Sequence, residues 1–146
     1  MKKTIFALLV CLMAGQLLAA EGDWLTSLQD ALAQAKKENK RALLDFTGSD
    51  WCPPCKALHE KVLTSSDFVD YAKKNLVLVL VDFPASKPQS PDLQKANSAL
   101  HDKYNVAGFP TLLLLKPDGM PIWTNLGYSG EAPSDIIAQI NQAKNK

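Results

Sequence analysis

Beyond the first twenty residues the longest unbroken apolar run is Leu76 to Val81, six residues that read as a strand buried on both faces. Arg41-Ala-Leu-Leu-Asp-Phe-Thr47 is a second short, mostly apolar strand, and Leu112 to Leu115 a third. Pro117-Asp-Gly119 then predicts a hairpin turn into Pro121 to Leu126. Between the strands the apolar period changes to that of helices. Leu25, Leu28, Leu32 and Ala35 fall on one face of a helix from Trp24 to about Glu38, with Asp23 as its N-cap. Lys56 to Leu63 continues as helix until Thr64-Ser-Ser-Asp67, where Ser66 or Asp67 caps a second piece, Phe68 to Lys74. Pro84, Pro88 and Pro91 mark a loop. Leu93, Ala96, Leu100 and Tyr104 line one side of a helix over Asp92 to Tyr104, and Pro133-Ser-Asp135 opens a last helix ending near Ala143. The order α-β-α-α-β-α-β-β-α predicts an α/β domain, one central sheet with helices on both faces.

The 146 residues make one domain, without internal repeats or low-complexity tracts. Met1-Lys-Lys-Thr followed by apolar Ile5 to Ala14 and small residues at Ala19-Ala20 has the form of a secretory signal peptide, residues 1–20, leaving 21–146 as the domain. The apolar run is short for a membrane span, so an uncleaved anchor is the lesser alternative. Removal of Lys2 and Lys3 from 16 basic and 15 acidic residues leaves 14 against 15. A charge near zero argues against nucleic acid as a partner. Cys11 departs with the leader, and only Cys52 and Cys55 remain. Small exported domains that rely on disulfides for stability carry several, so one close pair suggests a redox function.

Gly48, Ser49 and Asp50 end the strand, and Pro53 and Pro54 are tolerated in the first turn of the helix that follows. Cys52 is thereby expected at the helix N-terminus and Cys55 one turn inside. The positive end of the helix dipole favours a thiolate, so Cys52 is the expected exposed, attacking sulfur and Cys55 the one that resolves the mixed disulfide. As a structural staple the pair would close a loop worth only about 2 kcal/mol. As a zinc or copper site it lacks further ligands, since His59 and His101 are the only histidines. No metal or organic cofactor is expected.

Trp51-Cys-Pro-Pro-Cys-Lys56 after an Asp-containing strand, with Gly108-Phe-Pro-Thr111 much later, resembles the thioredoxin superfamily from roughly Asp23 to the end. In detail the chain is similar to small exported thioredoxin-like proteins and to the C-terminal domain of the DsbD electron transporter. The resemblance implies a thioredoxin-like fold, a central mixed β-sheet flanked by helices. It implies a cis Pro110 against the dithiol, with Phe109 beside it and Trp51 ahead of Cys52 framing an extended substrate segment. Phe109 departs from the smaller or β-branched residue common there.

Asp45, between Leu44 and Phe46, is a buried carboxylate whose pKa rises if it lacks a partner, the alternative being an Asp that reaches solvent at the sheet end. In the family a matching Asp helps deprotonate the resolving thiol, here Cys55, although its spacing to Cys52 is one residue longer than in ordinary thioredoxin. The family's lysine near that Asp has no counterpart within Leu76 to Val81. His59, one turn beyond Cys55, is within reach of the site, whereas His101, Lys36-Lys37 and Lys73-Lys74 read as surface.

The reaction expected is thiol–disulfide exchange by a monomer on protein disulfides or dithiols, with a DsbD-like membrane partner supplying electrons. Pro53-Pro54 offers no N–H to a Cys52 thiolate, which favours a reductase. A disulfide oxidase, an isomerase and a non-catalytic metal-handling or docking module with the same fold are the alternatives.

Overall fold

The computed structural model describes residues 23–145, so the expected leader lies outside the described residues. Its elements are β1 (Trp24–Leu25), α1 (Leu28–Glu38), β2 (Arg41–Thr47), α2 (Pro53–Leu58, continued by a π-helical turn His59–Leu63), α3 (Ser66–Asn75), β3 (Leu76–Asp82), α4 (Pro91–Lys103), β4 (Thr111–Leu115), β5 (Pro121–Leu126) and α5 (Pro133–Lys144). The strand order is β1-β3-β2-β4-β5. β1, β3 and β2 run parallel, while β4 is antiparallel to both β2 and β5, so the sheet is mixed as expected.

Strand alternation sorts the core into two layers. Leu43, Leu78, Leu112 and Leu114 pack with Leu58, Val62, Phe68, Ile136 and Ile140 from α2, α3 and α5. Ala42, Leu44, Phe46, Val79, Val81 and Leu113 face the other way, against Ala31 and Ala35 of α1. Asp45 shares the parity of Leu43. The strand's phase therefore turns its carboxylate toward the layer that contains α2.

The chain departs from expectation at three helices. Trp24 and Leu25 do not begin α1. They pair with Leu78 and Val79, where the free edge of β3 offers backbone partners, and Ser27 caps α1 instead by accepting the Asp30 N–H at 3.2 Å. Ser65, not Ser66 or Asp67, caps α3, accepting the Phe68 N–H at 3.3 Å. On α4 the buried residue is Asn97, whereas Ala96, expected in the apolar line, is exposed. A polar demand explains that choice: Asn97 Nδ2 donates at 2.9 Å to the carbonyl of Asp82, the last residue of β3.

Candidate active site

Cys52 is the N-cap of α2, with Pro53 and Pro54 in the first turn, so two of the N–H groups that would lie free at that end do not exist. The Lys56 N–H donates to the Cys52 carbonyl at 3.1 Å, and the Cys52 N–H donates to the Gly48 carbonyl at 2.9 Å. The first bond opens the helix and the second closes the turn that ends β2. Cys52 and Cys55 form a disulfide with their Cα atoms 5.3 Å apart.

The expectation of an exposed Cys52 beside a covered Cys55 does not hold in this state. The residues are 3% and 2% exposed in the disulfide-bonded protein. Position distinguishes them instead. Cys55 borders a cavity of about 370 Å³ on the α2 side of the sheet, together with Asp45, Thr47, Leu80 and Asp82 from the ends of β2 and β3.

Asp45 does not reach solvent at the sheet end. It is 3% exposed, and its Oδ1 finds no hydrogen-bond partner among the described residues. Burial first, and the nearby charge of Asp82 second, push its pKa from 3.8 up to about 7. Asp82 is treated differently by its surroundings. The Ser49 N–H donates to its Oδ1 at 2.9 Å and the Ser49 hydroxyl to its Oδ2 at 2.6 Å. Lys87 Nζ in turn donates to Ser49 Oγ at 3.2 Å. The missing strand lysine thus has a loop lysine near the same cavity, while Lys56, His59 and Glu60 line it from the helical run.

A clamp of loop to loop sets the outer wall. Asp50 accepts the N–H groups of Ala85 (2.8 Å), Ser86 (2.7 Å) and Lys87 (3.0 Å) and the Ser86 hydroxyl (2.8 Å). Those donors, Ala85 and Ser86 foremost, hold its carboxyl well below the usual carboxylate range. Trp51 Nε1 donates to the Phe83 carbonyl at 2.8 Å. A Cβ at Gly48 would land inside the Trp51 indole, so only glycine lets that ring lie across the turn.

Trp51 is 49% exposed. Its ring meets Phe109 edge-on at 6.0 Å, and Phe109 stacks on Phe83 at 5.1 Å. The Phe109–Pro110 peptide is cis. His101, read as plain surface, is half-buried and packs edge-on against Phe83 at 5.7 Å and Phe109 at 6.1 Å. An aromatic patch therefore runs from the residue before Cys52 to α4.

Of the six residues singled out in the sequence, the fold joins Cys52 to Cys55, Cys55 to Asp45 across one cavity, and Trp51 to Phe109, the chain neighbour of Pro110. Sequence reasoning missed Ser49, Asp82, Lys87, Phe83 and Asn97. Asp82 carried a signal: it follows the apolar run with the same parity as Leu78 and Leu80, which places it on the Asp45 face.

Residues 28–144 match the thioredoxin-like domain family. The chain is similar to the disulfide bond reductase DsbH of Chlamydia pneumoniae, 32% identical over 125 residues, or 86% of this chain and 74% of that protein. A solved DsbH oxidoreductase structure superposes with a TM-score of 0.79 at 30% identity, over 86% of each chain. Similarity extends to the thiol:disulfide interchange protein DsbD of Vibrio cholerae serotype O1, 36% identical over 98 residues, which are 67% of this chain but 15% of DsbD.

Proposed function

The chain belongs to the thioredoxin-like family of thiol–disulfide oxidoreductases, and we propose that it works as an exported reductase of protein disulfides. The observation that carries the reading is the cavity bordered by Cys55 and by Asp45, whose Oδ1 has no partner among the described residues, a cavity whose lining includes neither Trp51 nor Phe109. It separates the place where substrate docks from the place where a proton is taken.

In the reduced protein the Cys52 thiolate attacks a substrate disulfide, and one substrate sulfur leaves as a thiolate. Cys55 gives its proton to Asp45, and the Cys55 thiolate attacks Cys52 Sγ. That step forms the Cys52–Cys55 bond, breaks the bond from Cys52 to the substrate and releases the second substrate sulfur. Two electrons have moved from protein to substrate, and a membrane dithiol donor of the DsbD kind restores them. Trp51, Phe109 and Pro110 frame the substrate segment. The protein acts as a monomer without metal or organic cofactor. The basic-then-apolar residues 1–20 support export to the periplasm.

The reductive direction rests on Pro53 and Pro54. Strong oxidants of this family owe their potential to a stabilised reduced form, and two prolines in the first helical turn remove two donors from a Cys52 thiolate. The name of the similar DsbH points the same way. A Cys55→Ala variant is expected to accumulate mixed disulfides with extracytoplasmic proteins through Cys52. The wild-type midpoint should fall nearer about −270 mV than about −120 mV, the limits for Cys-x-x-Cys proteins. A midpoint at the oxidising end, or the absence of trapped species, would overturn the proposal.

A further inference from the structure

Two of the carboxylates lining the cavity behind Cys55, Asp45 and Asp82, come from the sheet, and their surroundings differ. Asp45 and Asp82 have the same parity on neighbouring parallel strands, where Asp45 pairs in register with Leu80 and Thr47 with Asp82. They are thus diagonal neighbours on one face. Both Asp82 oxygens accept hydrogen bonds from Ser49, and Lys87 places an ammonium group on Ser49 Oγ. Asp45 Oδ1 has no such support among the described residues. Negative charge on Asp82, next to a buried carboxyl without such hydrogen bonds, favours the protonated form of Asp45.

We propose that Asp82 is a positioning residue that strengthens Asp45 as acceptor of the Cys55 proton, and that Lys87, acting through Ser49, offsets part of that effect. The inference rests on the role given above to Asp45. In the step concerned, Cys55–SH and the Asp45 carboxylate become the Cys55 thiolate and the Asp45 carboxylic acid. The thiolate then forms the bond to Cys52 as the substrate thiolate leaves. Asp82 exchanges no proton in this step.

The other titratable groups lining the cavity are Lys56, His59 and Glu60, all on the α2 side and all exposed. Solvent screens their effect on Asp45 more than that of Asp82, whose charge is held against the sheet. Lys87 is also exposed, but its direct bond to Ser49 keeps its charge close. Asp50, through its bonds to Ala85, Ser86 and Lys87, fixes the segment from which Lys87 reaches inward.

The test is the pH dependence of the resolving step, followed by stopped flow as glutathione disulfide oxidises the reduced full-length protein. Asp82→Asn should move the midpoint of the rate profile about one pH unit toward acid, with a lower plateau, because a less basic Asp45 ionises earlier and accepts the proton less well. Lys87→Met should move it toward alkali. Opposite shifts of this kind do not arise from loosened packing. Because Lys87 is exposed, its variant keeps the fold and carries the test alone if Asp82→Asn does not fold. A Lys87→Met midpoint that is unmoved or moves toward acid, or a folded Asp82→Asn protein with an unmoved midpoint, overturns the proposal. Asp45→Asn separates the two claims. If it retains the wild-type profile, Asp45 is not the acceptor; if it abolishes that profile while the other variants shift nothing, only the Asp82–Lys87 effect fails.

Discussion

Replacing Asp45 by Asn removes one ionisation from the interior with almost no change of shape, and the structure says how stability should respond. Asp45 binds its proton more tightly when folded (pKa about 7) than when unfolded (3.8). Between those values the folded state holds more protons, so this residue lowers stability as pH rises, starting near the unfolded value and levelling off above the folded one. The full cost to the disulfide form at alkaline pH is about 4 kcal/mol, an upper figure because the cavity can admit water to the ionised group. Asn in place of Asp carries no such dependence. Any unsatisfied amide it leaves shifts stability equally at every pH. Urea unfolding of both oxidised proteins from about pH 4 to about pH 8 isolates the effect as the difference between variant and wild type. That difference should increase in favour of Asn by up to about 4 kcal/mol, with most of the change below about pH 7. A difference that stays flat would mean that the carboxyl is solvated or paired when folded, and the argument for a proton acceptor behind Cys55 would go with it.

Asp50→Ala should free the segment after β3, seen as faster hydrogen exchange at the Ala85, Ser86 and Lys87 amides with protection of β2 and β3 unchanged; retained protection would refute the clamp. Asn97→Ala should destabilise the protein by about 1–3 kcal/mol, measured by urea unfolding. The loss should sit at the lower end, since Gln89 Nε2 also donates to the Asp82 carbonyl, at 3.2 Å.

The apolar runs of β2, β3 and β4, the hairpin at Pro117-Asp-Gly119 and the helical periods between them were legible because each depends on neighbours a few residues away. The start of α1 was not. Trp24 and Leu25 fit a helix by period, and only the open edge of β3, fifty residues later, draws them into the sheet. Asn97 replaced Ala96 on the buried side of α4 for a similar reason, a carbonyl at the end of another element. His101 looked like surface because its aromatic neighbours, Phe83 and Phe109, come from distant segments.

At the site, Cys52 and Cys55 and the prolines between them were evident from spacing, since a helix N-terminus is local chemistry. The charge pattern behind Cys55 was not local. Asp45, Ser49, Asp82 and Lys87 lie on two strands and two loops, and their pairing depends on strand register and on where Asp50 ties the second loop. By itself the sequence determined the reactive pair and the elements that carry it, because both follow from short-range periodicity and turn residues. Tertiary structure decided which carboxylate is left without a hydrogen bond among the described residues and which accepts two from Ser49, because desolvation and hydrogen bonding depend on what the fold brings within a few ångströms.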